Sequence, residues 1–403
     1  MNKNFIFIVI GQIISLFGNS ILRFTLPLYL LRITESISLF GIVSAISFIP
    51  LIIMSLIGGV IADRKNKRNI MVFLDFFTAF IIFIYTIIYN HISLIPCLII
   101  TLIILYGIQG TYQPTVQSSI PLIVSKDKIM QGNSIINLVN SLANFSGPII
   151  GGILFGIYGI NPILIVSIIC FLFSAILELF IIIPFKKSTY SEKTFSILKK
   201  DLSLSFNFMI KEKPILWKSI LIISLFNLFM SSMLIVGIPS IFIKTLKLSD
   251  NLYGITQGIL GIGSIFGGIV TGILNTKLNI KKSYYLLLGA TISIFPMIIT
   301  LIISKSIIIN YIIISIMGFS IMTFATMFSI QMITFVQIQT PTEISGKVIS
   351  CLLGLSLCAM PIGQALYGIL FQNWISTPWI VLIISLLSSL IISFFSKSTF
   401  QNL

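Results

Sequence analysis

Residues 81–88 read Ile-Ile-Phe-Ile-Tyr-Thr-Ile-Ile, and residues 298–303 read Ile-Ile-Thr-Leu-Ile-Ile. Neither run alternates apolar and polar side chains, as a barrel strand with one face in lipid and one in water would. Both belong to apolar stretches of roughly 20 residues, enough to cross a hydrocarbon core of about 30 Å as a helix. Inside lipid every backbone N–H and C=O must be paired within the protein, which leaves helices or closed barrels. The missing alternation decides for helices. Composition points the same way: 57% of the 403 residues are hydrophobic, 9% are charged, and the mean hydropathy is +1.11. A soluble domain carries about 25% charged residues, so a water-facing surface cannot be built from this chain.

Working outward from those runs gives an all-α membrane protein of twelve transmembrane helices. The spans fall near 5–31, 38–62, 70–89, 93–121, 133–159, 162–184, 215–243, 251–274, 284–304, 306–337, 347–371 and 378–396. The first stretch continues from Phe5 past Leu30 without a small-residue cleavage site, so it reads as a span and not as a signal peptide. Four cysteines (Cys97, Cys170, Cys351 and Cys358) are scattered through apolar spans, where packing is their expected role. The net charge of +15 is distributed by side. Arg32, Lys244, Lys247 and Lys305 fall in outer loops and Arg23 within span 1; the other 20 of the 25 basic residues lie on the opposite side. By the positive-inside rule that side, with both termini, is expected to be cytoplasmic. A basic surface for nucleic acid would need a soluble domain, so no nucleic-acid partner is expected.

The spans divide six and six. Residues 1–184 are expected to form an N-terminal six-helix bundle and residues 215–403 a C-terminal one. The basic stretch 185–214 between them interleaves lysines with Phe195, Ile197, Leu198, Leu202, Leu204, Phe206 and Phe208. It reads either as an amphipathic segment on the cytoplasmic membrane surface or as a solvated linker. A shift of 213 positions superimposes Gly41 on Gly254, Gly59 on Gly272, Arg64 on Lys277, Arg68 on Lys281 and Pro148 on Pro361. Two halves of six spans repeat in the same orientation, an arrangement suited to alternating access.

Residues 58–68 read Gly-Gly-Val-Ile-Ala-Asp-Arg-Lys-Asn-Lys-Arg. Gly59, Asp63, Arg64, Lys67 and Arg68 make this stretch resemble the signature loop of the major facilitator superfamily, which implies a conformational gate. Asn66 stands where the family commonly has glycine, and Asn tolerates left-handed backbone better than most residues. The second-half copy of the loop has Thr276 in place of Asp63. Gly147, Pro148, Gly151 and Gly152 resemble the Gly-Pro-x-x-Gly-Gly motif of the drug/proton antiporter branch, which implies export; generic small-residue helix packing is the alternative. Phe17-Gly18-Asn19-Ser20 with Pro27, Leu252-Tyr253-Gly254 with Gly261-Ile262-Gly263-Ser264, and Ser345-Gly346-Lys347-Val348 are similar to the macrolide-efflux-like group of that superfamily.

Ionisable residues within spans are costly, about 2.5–3.5 kcal/mol on insertion scales, and are functional candidates by default. Asp75 lies about 9 Å into span 3 from its inner end, counting residues at the helical rise, and Glu178 lies at a similar depth in span 6. Both are candidates for proton coupling; the alternative is pairing with Arg64, Arg68 or Lys186. Arg23, in the outer half of span 1, either faces a watery cavity and holds an anionic group or extends to the headgroups. Gln109, Gln113, Asn227, Gln257, Gln331 and Gln337 are candidate cavity-lining residues. No catalytic constellation, metal-ligand cluster or P-loop is visible, and the single histidine, His91, falls in an outer loop. The expectation is therefore a secondary transporter without enzymatic activity or cofactor, sited in the cell membrane. It would export small amphipathic molecules such as macrolides in exchange for protons. Its partners would be the substrate, protons and the bilayer, and it would act as a monomer. Export of an endogenous metabolite or siderophore, or a non-transporting receptor or scaffold on the same fold, are the alternatives.

Overall fold

The computed structural model describes the chain except for residues 1–2, 90–92, 126–128, 185–202, 204–205, 275–278, 341 and 402–403. Within its helices, the side chains at 3, 56, 59–60, 63–64, 129–131, 133–134, 137, 337, 342–347, 349–350 and 353 are also outside the description. The linker is therefore described only from residue 206, with residue 203, and Lys186, His91 and Thr276 lie outside it.

Among the described residues, twelve helices are long and apolar enough to cross a membrane. They are α1 (Lys3–Thr34), α2 (Ile37–Arg64), α3 (Lys67–Ile88), α4 (Leu94–Ile123), α5 (Ile129–Tyr158) and α6 (Ile160–Leu179). The second set is α7 (Pro214–Thr245), α8 (Asp250–Ile273), α9 (Ile280–Ile303), α10 (Ile307–Gln339), α11 (Thr342–Asn373) and α12 (Pro378–Phe400). Helix α7 is not regular throughout. It widens into π-helical turns at Asn227–Ser231 and Ser240–Thr245.

The helices gather into two compact units. One comprises Met1–Glu35, Ile46–Thr194 and Ser249–Gly258; the other comprises Ser36–Ala45, Phe195–Leu248 and Ile259–Leu403. The first turns of α2 thus belong with the second unit, and the first turns of α8 with the first. The internal repeat is visible in the backbone as well. Among the described residues, Glu35, after α1, and Lys247, after α7, are the non-glycine residues with positive φ, at 55° and 52°.

Two glycine crossings explain these exchanged segments. In the first unit a Cβ on Gly152 of α5 would lie 2.9 Å from the Cα of Gly254 in α8 and 2.8 Å from the carbonyl oxygen of Asp250. In the second unit a Cβ on Gly41 of α2 would lie 2.7 Å from the Cα of Gly368 in α11. Lipid supplies no hydrophobic drive for helices to associate, so close backbone packing at small residues must provide it. Gly41 and Gly254 are the pair superimposed by the 213-residue shift.

Asn66 does not adopt the left-handed backbone that its place in the loop suggested. Its φ and ψ are −63° and 115°, and its side chain accepts a hydrogen bond from the Arg68 N–H, capping α3. Asn is among the best N-cap residues because its oxygen serves an N–H that the helix leaves unpaired. Lys67 donates to the Ala62 carbonyl at 2.7 Å, closing the loop onto the end of α2. The side chains of Asp63 and Arg64 lie outside the description.

Helix α3 is apolar all round, yet its faces differ. Phe73, Phe76, Phe80, Phe83 and Ile87 are exposed, while Met71, Asp75, Thr78, Ile82 and Tyr85 are buried. Both sets recur at helical spacing, so the rings meet lipid and the polar groups turn inward.

Overpacking a tight crossing costs typically about 1–3 kcal/mol. Gly152→Leu is therefore expected to lower the thermal unfolding midpoint of the purified protein. Gly268→Ala, where nothing lies within 4 Å of an added Cβ, should leave it unchanged or higher. Equal effects of the two substitutions would show that the crossing does not hold these helices together.

Candidate functional site

The inward face of α3 delivers Asp75 to a position where it is 2% exposed, and α6 delivers Glu178 to one where it is 1% exposed. On α6 the buried residues Ser167, Phe171, Ser174 and Glu178 again follow helical spacing. Helix α4 inserts Tyr112 between the two carboxyls. Its hydroxyl lies 2.6 Å from Glu178 Oε1 and 3.5 Å from Asp75 Oδ2. Ser15 of α1 donates to Asp75 Oδ1 at 3.0 Å. Four helices of the first unit thus meet at one polar cluster.

The cluster has a proton count. A tyrosine hydroxyl carries one hydrogen and cannot donate to both carboxylates at once. With both ionised, the shorter contact takes the hydrogen, and Tyr112 presents only lone pairs to Asp75 Oδ2. One added proton on Asp75 would complete a continuous chain, Asp75 to Tyr112 to Glu178. Glu178 Oε2 is buried without a hydrogen-bond partner, an arrangement that favours an uncharged or proton-sharing state because buried charge is expensive.

The sequence weighed pairing of each carboxyl with a basic residue. The geometry joins the two carboxyls to each other through Tyr112, while the Arg64 and Lys186 side chains lie outside the description. Arg68, one of the basic alternatives, has its Nε buried and without a partner. Tyr112 and Ser15 escaped the sequence reading. A signal for Tyr112 existed, since it stands three residues after Gln109 and one before Gln113, on a polar stretch of α4.

Arg23 turns into the protein. Its Nη1 donates to Gln109 Oε1 at 2.6 Å, and its guanidinium lies 4.4 Å from the centre of the Tyr106 ring. Gln113 donates to Asn140 at 3.4 Å. A cavity of about 130 Å³ is lined by Arg23, Gln109, Gln113, Asn19, Asn140 and Asn144, among others. A smaller space of about 10 Å³, lined by Asp75, Ser15, Asn19, Gln109, Tyr112 and Gln113 among others, adjoins it. That is room for about one water. Asn19, Gln109 and Gln113 border both spaces, so polar surface is continuous from the guanidinium to the carboxyl pair.

The remaining cavity candidates are not gathered there. Asn227, in the first wide turn of α7, donates to the Ser356 carbonyl of α11 at 3.0 Å, a helix-packing contact in the second unit. Gln257 is half-buried on α8 and hydrogen-bonds Tyr253. Gln331 is 9% exposed, and neither of its side-chain polar atoms has a partner. The Gln337 side chain lies outside the description. Of the antiporter-like motif, Gly147 faces Ser20 and Gly151 faces Phe24 and Thr25 of α1, while Gly152 meets α8. The motif therefore packs α5 against two helices. The cysteines are all unpaired thiols.

Comparison with known proteins follows the same lines. Macrolide efflux protein A of Streptococcus pyogenes is 22% identical over 176 residues, 43% of this chain and 43% of that protein, so the match spans less than half of either. The uncharacterized MFS-type transporter YfmI of Bacillus subtilis strain 168 is 22% identical over 296 residues, 72% of each chain. Among solved structures, the nucleoside transporter NupG aligns with a TM-score of 0.81 at 12% identity, over 99% of this chain and 100% of that one. A bacterial homolog of the human lysosomal transporter Spinster, in an inward-facing and unoccupied conformation, aligns with a TM-score of 0.74 at 14% identity, over 100% and 99%. At such identities the structural likeness is one of fold. The family model of the Major Facilitator Superfamily matches residues 8–352, and with its all-helical, multi-pass architecture the chain belongs to that superfamily of membrane transporters.

Proposed function

We propose that this transporter exports small amphipathic molecules across the cell membrane in exchange for protons, with both termini in the cytoplasm. The observation that carries the reading is the Asp75–Tyr112–Glu178 chain, a proton-accepting group buried among α1, α3, α4 and α6. A single proton changes its hydrogen bonding and its charge together. Such a group couples ion movement to conformation when it exchanges its proton with opposite sides in turn.

Direction and substrate class rest on two further supports. The Gly147–Gly152 segment resembles the antiporter motif, and its glycines sit at close helix contacts. The partial likeness to a macrolide efflux protein brings macrolides forward as the first substrates to try. The placement of 20 of the 25 basic residues on one side supports the assigned orientation. A reporter that is active only in the cytoplasm is expected to be active when fused after Leu403. Activity only of an externally active reporter at that position would reverse the orientation.

Efflux is to be measured in cells lacking their own pumps, over macrolides and dyes, with and without a protonophore. Protein-dependent efflux should collapse with the protonophore. Asp75→Asn and Glu178→Gln should each reduce it to the level of cells without the protein, at equal abundance in the membrane. A hydrogen bond to a charged group is worth about 1.5–3 kcal/mol, so Tyr112→Phe should lower efflux roughly tenfold or more. Full efflux by Asp75→Asn, or efflux indifferent to the protonophore, would sink proton coupling at this site.

A further inference from the structure

We propose that the cavity beside Arg23 is a binding site for an oxyanion, the carboxylate or phosphate group of a solute, with the guanidinium as its counter-charge. Arg23 lies within α1 and turns into the first unit. Among the described residues its guanidinium makes one hydrogen bond, to Gln109, and no ion pair. Arginine carries five N–H donors in a fixed fork that matches a planar oxyanion. After the bond to Gln109, donors remain for whatever enters the cavity.

The surroundings fit an anion better than any other occupant. Besides Arg23, the lining is uncharged: Asn19, Ser20, Gln109, Gln113, Asn140 and Asn144 supply hydroxyl and amide groups, with Leu16 and Ala143. Among the described residues no carboxylate lines the space, and Arg23 gives that lining a positive charge. Charges within a membrane protein are rarely left without a partner of opposite sign. The Tyr106 ring holds the guanidinium on one side, and Gln109 fixes its Nη1. Both contacts orient the cation without neutralising it.

Size narrows the ligand. Pockets for drug-sized molecules are about 300–1,000 Å³, whereas this cavity is about 130 Å³. It takes a head group or a small anion and not a whole macrolide. The site borders the space beside Asp75 through Asn19, Gln109 and Gln113, so an anion and the carboxyl pair would share the same polar side chains.

This proposal does not depend on export or on proton coupling, and binding is measured without transport. The full-length protein in nanodiscs would be titrated with acetate, benzoate and inorganic phosphate at constant ionic strength set by chloride, following its thermal unfolding midpoint. The expected result is a saturable rise with at least one of these probes; the carboxylate and phosphate arms tell which group is preferred. Arg23→Gln should abolish the rise, Arg23→Lys should weaken it, and Lys281→Gln, which removes an exposed cation, should leave it intact. No rise with any probe, or a rise that persists in Arg23→Gln, overturns the assignment. Should Arg23→Gln not fold, the ordering of wild type above Arg23→Lys with Lys281→Gln unchanged carries the test, and equal responses of all three overturn it. Absence of anion binding by the wild-type protein alongside intact proton-driven efflux would reject this site and leave the export reading standing.

Discussion

Hydrocarbon offers no partner to a polar atom, and the rest of this structure follows from that. Each backbone group is paired along its own helix, so helices are the units the chain can place in lipid. The same demand reaches the side chains. Thr25, Thr78, Thr115, Thr271 and Thr291 turn their hydroxyls back onto the carbonyl four residues earlier. Those hydroxyls are satisfied locally and ask nothing of a neighbouring helix. Other side chains reach across to a neighbouring helix, among them Ser15, Asp75, Tyr112 and Glu178, and the pair Arg23 and Gln109.

These side chains are held by helices with no slack between them. Gly147 and Gly151 bring α5 onto α1, and Gly152 brings it onto α8 at backbone contact. Helix α1 in turn supplies Ser15 to the carboxyl pair and Arg23 to the neighbouring cavity. A shift of α1 against α3, α4 or α6 would alter hydrogen-bond distances at both places at once. Conversely, adding or removing a proton between Asp75 and Glu178 changes what the packing of those helices must stabilise.

Much of the architecture was legible because its signals are long. A span of 20 apolar residues and a repeat at a fixed shift each pool many positions, so single exceptions do little harm. Asp75 and Glu178 were legible as well, since a carboxyl in a span is conspicuous. Their relation to each other was not, because it depends on the rotation of two helices 100 residues apart. Tyr112 was hidden for a different reason. A tyrosine in an apolar span looks like packing until the atoms facing its hydroxyl are known. The backbone at Asn66 was left open because asparagine serves two roles, left-handed turn and helix cap, and the following residues decide between them.

The wide turn at Asn227–Ser231 has a geometric consequence of its own. A π-turn accommodates one residue more than an α-turn, and one residue corresponds to roughly 100° of rotation about the axis. The stripe of residues facing inward before Asn227 is therefore out of phase with the stripe after Ser231. A continuous 3.6-residue count along α7 would lose its phase at this turn, although from Ser232 to Ile243 nearly every residue is buried whichever way it faces. The second wide turn, Ser240–Thr245, introduces another such offset before the helix ends. Helix α7 thus presents three successive orientations of its surface along one axis, a screw with two dislocations.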